Sequence, residues 1–241
     1  MVSALVIITG ASSGLGLALA QTVPFPAVVV DVSRSGPPAG TEIEHYTADL
    51  SNPDEWQQVG EHVKSLVTQQ KPERIVFIHA AGTLTPIGFA GEVDTQAYAQ
   101  NVVLNSASGQ VLGHLFLEAV SGLQASVDLV LISSGAARSV YEGWSAYSAG
   151  KAALNHWVRH AGAEQAKRGG VRVSAIAPGV IATAMQAEIR DTPGHDFPSV
   201  DRFHQLHDEG DLVEPEVAAR RIWDAIEAGI ENGSVLDIRD R

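Results

Sequence analysis

Short apolar runs alternate with longer stretches of helical periodicity along this chain. The runs at 4–9, 27–32, 43–47, 74–79, 127–132, 171–176 and 234–238 are rich in Val and Ile and mostly continuous rather than alternating. Strands of that kind are covered on both faces, as in parallel sheets. Helices are predicted from Gly14 to about Thr22 and over 53–70, 95–120, 145–167 and 215–228. Asn52 and Pro53 supply a cap and a first-turn proline, and Gly229 supplies a stop. Strand and helix alternating in this way predict an α/β fold. The expected form is a single doubly wound Rossmann-type domain, with a seven-stranded parallel sheet flanked by helices. Two stretches break the rhythm. Residues 33–41 read as a loop by their Gly and Pro content, and 181–213 show no clear period. The second stretch follows a strand end, where ligands sit in open α/β sheets.

Charge and composition narrow the function classes. The 241 residues carry 16 Lys and Arg against 28 Asp and Glu, a net charge of -12. Such a surface repels a phosphate backbone, so no nucleic-acid partner is expected. The chain has no cysteine, which excludes disulfides, thiolate catalysis and Cys-based zinc sites and fits a reducing cytoplasm. Met1-Val2-Ser3 leads directly into the first apolar run without a basic leader, and no stretch has the length of a membrane span. Eight histidines (45, 62, 114, 156, 160, 195, 204 and 207) show no zinc-ligand pattern, and no metal is predicted. His79 reads as a strand-end residue without catalytic function.

The first strand ends in Thr9-Gly10-Ala11-Ser12-Ser13-Gly14-Leu15-Gly16, which opens the first helix. Three glycines permit a tight turn and close approach of a pyrophosphate to the backbone. The helix start offers free N–H groups and the positive dipole end, and the Ser12 and Ser13 hydroxyls add donors. After strand two come Asp31, Val32, Ser33 and Arg34. An acid at this strand end accepts from a ribose 2′-hydroxyl, whereas a basic residue pairs with a 2′-phosphate. Both types are present here.

Tyr147 and Lys151 lie four apart at a helix start and so share one face. An ammonium beside a phenol favours the phenolate, and a tuned tyrosine exchanges a proton with a carbonyl or alcohol oxygen. Ser134 ends strand five, 13 residues before Tyr147, with Ser133 as its neighbour.

The G-x-x-x-G-x-G turn, the Tyr-x-x-x-Lys pair and the serine before it occur together. In that order they resemble the short-chain dehydrogenase/reductase family over residues 4 to about 183. The resemblance implies that Ser134 polarises a carbonyl oxygen and Tyr147 protonates it. Lys151 would lower the tyrosine pKa and bind the nicotinamide ribose, and the hydride transferred would be the 4-pro-S one. It places Asn105 in a locally bent helix as part of a proton relay; Asn101 is the rival, and Tyr98 favours Asn105. Ser33 falls where NAD-linked members carry Asp, with Arg34 beyond it. NADP(H) is therefore favoured and NAD(H) possible, although Asp31 is an alternative acid and Ser13 stands where many NADP-linked members have Arg. Asp49 and Leu50 are expected at the adenine, Ala80, Ala81 and Gly82 at the adenosine ribose, and Pro178, Gly179, Val180 and Thr183 at the nicotinamide. Gly143-Trp144 before Tyr147 is similar to sepiapterin and benzil reductases, with Trp144 either lining a flat apolar pocket or packing. The expected activity is reduction of a diketone or pterin-type ketone. The alternatives are an NAD-linked alcohol or hydroxysteroid-type dehydrogenase, and a nucleotide-sensing protein without turnover. The family also implies a homodimer or homotetramer formed through the helices of 95–120 and 145–167.

Overall fold

The computed structural model describes residues 4–240. Met1-Val2-Ser3, read above as leading into the first strand, lie outside the described residues, as does Arg241. Seven strands form one parallel sheet: β1 (Ala4–Thr9), β2 (Val28–Ser33), β3 (Glu44–Thr47), β4 (Arg74–His79), β5 (Ser126–Ile132), β6 (Arg172–Ala177) and β7 (Val235–Asp237). Their order is β3-β2-β1-β4-β5-β6-β7, so the winding reverses between β1 and β4. There Thr9 sits opposite Val32 on one side and His79 on the other. The strand ends diverge at this reversal and leave a crevice, the place where α/β sheets bind ligands.

Alternate residues of each strand feed two cores. Leu5, Ile7, Ile75, Phe77, Leu129 and Leu131 pack beneath α2 (Trp56–Gln70), α4 (Ser108–Ala119) and α5 (Ser145–Arg168). Val6, Ile8, Val76, Ile78, Val130 and Ile132 pack beneath α1 (Gly14–Gln21) and α8 (Pro215–Glu227). Both faces are therefore buried, which is why the strands read as continuous apolar runs. Trp223 of α8 is fully buried, and its indole N–H donates to the Leu19 carbonyl at 3.0 Å, tying α8 to α1. Burying a side chain of this size contributes about 2–3 kcal/mol.

Two regions depart from the even pattern of the sequence, the first at the asparagine where a local bend is expected. The stretch 95–120 is not one regular helix: α3 (Thr95–Val102) passes through a π-helical turn at Val103–Ala107 into α4. The extra residue in that turn redirects side chains beside Asn105, and such bulges gather at functional sites. Residues 181–213 are not irregular. They contain α6 (Ala184–Arg190) and α7 (Val200–Asp208), which bring Ile189, Phe197, Val200 and Phe203 into a third cluster with Leu84, Trp144 and Tyr147. Their apolar residues are spaced helically only over single turns, too briefly for a period to show.

His79 lies at the end of β4, as read from the sequence, and is wholly buried at the reversal point. The Ala80 and Ala81 N–H groups donate to Thr9 Oγ1, whose own hydrogen is thereby directed to His79 Nδ1 at 2.9 Å. Ser108 Oγ donates to the Leu104 carbonyl and so accepts from His79 Nε2 at 3.2 Å. The imidazole is therefore neutral and protonated on Nε2. Burial, then the Lys151 charge, push its pKa down from 6.5 to about 3.

The unfolded chain binds a proton at this histidine below pH 6.5 and the folded chain does not, so stability falls as pH drops from 6.5 toward 3. Urea unfolding at pH 7 and pH 5 should show a loss of about 2 kcal/mol from this group. His79→Asn should abolish that component; an equal pH dependence in the variant would contradict the assignment.

Candidate active site

The crevice at the carboxyl ends of the strands is a cleft of about 450 Å³. Every site residue expected from the sequence lines it except Asn105. At one end Gly10, Ser12, Ser13, Gly14, Leu15 and Gly16 form its floor. Gly10 has φ +76°, and a Cβ there would lie 2.9 Å from Ala81 Cα. A Cβ on Gly16 would lie 2.2 Å from the Gly10 carbonyl oxygen. The turn is thus closed to any side chain at these two positions. Ser13 occupies the α1 cap position, yet its side chain makes no capping bond, so the first N–H groups of the helix stay open toward the cleft.

Ser33, Arg34, Asp49 and Leu50 line the adjoining wall. Asp31 does not join them, and its place as an alternative ribose acid is corrected. It lies within β2, fully buried, and its carboxylate accepts from Ala11 N–H at 2.8 Å, Ser33 Oγ at 2.6 Å and His45 Nδ1 at 2.9 Å. These bonds engage both of its oxygens and staple the glycine turn to β2. Asp49 accepts from the Ser51 amide and hydroxyl at 2.9 and 2.7 Å. Its burial raises its pKa, but the Ser51 bonds and the nearby Arg34 charge leave it below the usual value. Ala80, Ala81 and Gly82 come from the end of β4, and Pro178, Gly179, Val180 and Thr183 from the end of β6.

Tyr147 and Lys151 rise from the first turns of α5, and Ser134 from the end of β5. Lys151 Nζ donates to the Ile132 carbonyl at 2.9 Å and lies 5.8 Å from the centre of the Tyr147 ring. The Ser134 hydroxyl hydrogen-bonds the Tyr147 phenol. Ser133 instead donates to Asn155 Oδ1 at 2.6 Å. Burial pushes the Lys151 pKa from 10.5 down to about 8. It pushes the phenol the other way: Tyr147 lies above its ordinary 10.0, the Ser134 bond offsetting part of the rise. Desolvation is thus the largest influence on both groups before anything binds.

Asn105 is fully buried in the π turn. Its Nδ2 donates to the Thr83 carbonyl at 2.7 Å and to Asn101 Oδ1 at 2.8 Å, and its Oδ1 accepts from Thr83 N–H at 3.1 Å. Asn101 donates in turn to the Leu84 and Thr85 carbonyls at 3.2 and 2.9 Å. Both asparagines hold the segment after β4 against the helix, and the Asn105 amide uses its oxygen and both hydrogens in doing so. A Cβ on Gly82 would fall 2.9 Å from Asn105 Oδ1 and 3.5 Å from Lys151 Nζ, so only glycine lets these elements meet.

The other end of the cleft is aromatic. Trp144 stacks on Phe197 with centroids 4.5 Å apart and meets Tyr147 edge-on at 5.8 Å, while Tyr141 and Phe203 close the group. Trp144 both packs and lines the cleft. Met185, Ile189 and Phe203 add an apolar wall, and Arg202 donates to the Tyr141 hydroxyl at 3.0 Å. The sequence reading missed these α6 and α7 residues. Their signal was the four-residue spacing of Met185 and Ile189 and the three-residue spacing of Val200 and Phe203.

A comparison with protein families matches residues 4–194 to the short chain dehydrogenase family. The chain belongs to that family. It is 35% identical to a benzil reductase ((S)-benzoin forming) of Bacillus subtilis over 98% of each chain. It is 29% identical to the sepiapterin reductase of Rattus norvegicus, covering 98% of this chain and 97% of that one. A crystal structure of a short chain dehydrogenase/reductase from Saccharomyces cerevisiae superposes with a TM-score of 0.82 at 25% identity, covering 98% and 96% of the two chains. As a family member this short chain dehydrogenase is an oxidoreductase, and the family uses nicotinamide cofactors. The cleft fits such a dinucleotide: it is lined by a turn too tight for side chains at Gly10 and Gly16, and the first N–H groups of α1 carry no side-chain cap. Among the described residues no helix is long and apolar enough to cross a membrane.

Asn105→Ala strips partners from the buried Thr83 peptide and from Asn101. It should cost about 2–4 kcal/mol of stability, measurable by chemical denaturation. A change below about 0.5 kcal/mol would show that the network does not hold the π turn.

Proposed function

We propose that this chain is an NADP(H)-dependent carbonyl reductase acting on an aromatic diketone or pterin-type ketone, with Tyr147 as its proton donor. One observation carries the reading: a buried, serine-bonded phenol stands between the dinucleotide end of the cleft and an aromatic chamber. A phenol with a raised pKa stays protonated at neutral pH, as a donor must for carbonyl reduction. Bound in the cleft, a nicotinamide supplies hydride to the carbonyl carbon. The residues do the rest. The Ser134 hydroxyl polarises the carbonyl oxygen and orients the phenol. Tyr147 delivers its proton to that oxygen as negative charge gathers there. Lys151, anchored on the Ile132 carbonyl, places positive charge beside the phenolate that this leaves. Asn105 positions the Gly82-Thr83 segment and the π turn around that lysine.

Three features support NADP(H) over NAD(H). The strand-end position carries Ser33, Asp31 is spent inside the fold, and Arg34 offers a cation at the rim. The aromatic chamber supports a flat substrate, because Trp144 and Phe197 already show the stacking that an aryl ring would extend. The names of the relatives point to the same substrates.

The primary test is a spectrophotometric screen of NADPH and NADH against benzil-type diketones, pterins, quinones and steroids. Turnover restricted to aliphatic alcohols with NAD would replace this reading with a dehydrogenase. Tyr147→Phe should lower kcat by about 10²–10⁴-fold with dinucleotide binding retained; normal turnover would remove the donor assignment. Arg34→Ala should raise the KM for NADPH by about 10–100-fold and leave that for NADH nearly unchanged. Lys151 is an ammonium below pH about 8 and neutral above it in the free enzyme. kcat/KM for reduction should therefore fall as pH rises through about 8, and a flat profile to pH 10 would exclude the lysine charge from the rate.

A further inference from the structure

Two histidines outside this machinery face each other on the exposed side of α5. His156 and His160 are both exposed, and their Nε2 atoms lie 3.2 Å apart. The ring centroids are 4.6 Å apart with planes at 65°. They are four residues apart, so one helix face carries both. Other histidines have local employment: His45 is bonded to Asp31, His62 stacks on Tyr46 and His79 is walled into the core. Among the described residues, His156 and His160 hydrogen-bond only each other.

The gap between the two nitrogens holds at most one hydrogen, so one Nε2 presents a lone pair toward the other. Replacing that hydrogen by a cation lets both lone pairs point at one centre. Two imidazoles about 2.0–2.1 Å from a tetrahedral zinc stand roughly 3.3 Å apart. The observed 3.2 Å is that separation, already made. The same four-residue spacing presents two histidine ligands in helical zinc motifs. Neutral imidazole suits zinc, nickel and copper, whereas magnesium and calcium require oxygen ligands.

We propose that His156 and His160 form a two-imidazole site for a borderline transition-metal dication on the outward face of α5. This is contrary to the expectation from the sequence, where the pair shows nothing beyond its spacing. Among the described residues no third histidine or carboxylate joins it. The remaining coordination positions go to water or to the same pair on a second copy packed against this helix. A bound ion would clamp adjacent turns of the helix whose first turns carry Tyr147 and Lys151. The inference is independent of the proposed activity.

The test is calorimetric titration of the untagged, EDTA-stripped full chain with zinc chloride and with nickel chloride, beside magnesium chloride. The expected result is saturable zinc and nickel binding, at one ion per chain or one per two chains, and none with magnesium. His156→Ala and His160→Ala should each weaken zinc binding by more than about tenfold, since even a ligand's outer hydrogen-bond partner is worth 10–100-fold. The double variant should lose saturable binding. Zinc should raise the Tm of the unsubstituted chain and leave that of the double variant unchanged. Absence of saturable binding, or a double variant that binds zinc as the unsubstituted chain does, would overturn the proposal.

Discussion

A single threonine hydroxyl governs the centre of this molecule. Thr9 ends β1 where the winding of the sheet reverses, and its oxygen collects the Ala80 and Ala81 N–H groups while its hydrogen goes to His79. The two middle strands must diverge to open a crevice, yet their ends have to stay in register for its two walls to match. The hydroxyl meets both demands, because it bridges β1 to the segment after β4 without filling the space above. From His79 the chain of bonds continues through Ser108 to the π turn, and from that turn through Asn105 to Thr83. The glycine turn, the segment after β4 and the π turn are thus referenced to one point in the sheet.

Electrostatically, burial dominates the site before anything binds. Burial lowers the lysine pKa and raises that of the tyrosine, so each is nearer its neutral form before anything binds. A low-dielectric pocket strengthens the field of whatever charge does appear. The carbonyl that Lys151 holds belongs to Ile132, the last residue of β5, and the hydroxyl that Tyr147 meets belongs to Ser134, two residues beyond it. One strand end therefore sets the spacing of the acid and the ammonium.

Much of this was legible in the amino-acid order. Both-face burial leaves continuous apolar runs, so the strands and the parallel sheet could be read with boundaries off by a residue or so. The glycine turn was legible because steric closure at Gly10 and Gly16 admits one residue type. The pairing of Tyr147 with Ser134 rather than Ser133 followed from spacing. The fate of Asp31 did not, because its three donors come from β3, the glycine turn and its own strand, contacts that no local pattern records. The direction of the tyrosine pKa was equally hidden, since it depends on how completely α6 and α7 cover the phenol. Those helices escaped notice because each is under three turns long and carries few apolar residues.

The cap built by α6 and α7 has its own cluster, separate from the two cores that hold the sheet. Met185, Ile189, Phe197 and Phe203 can therefore be exchanged without disturbing the strands that grip a dinucleotide. Tyr147 belongs to that same cluster, so an exchange there reshapes the chamber and the cover over the phenol together. A sheet left intact can then acquire new chambers, each sculpted by a few side chains on and between two short helices.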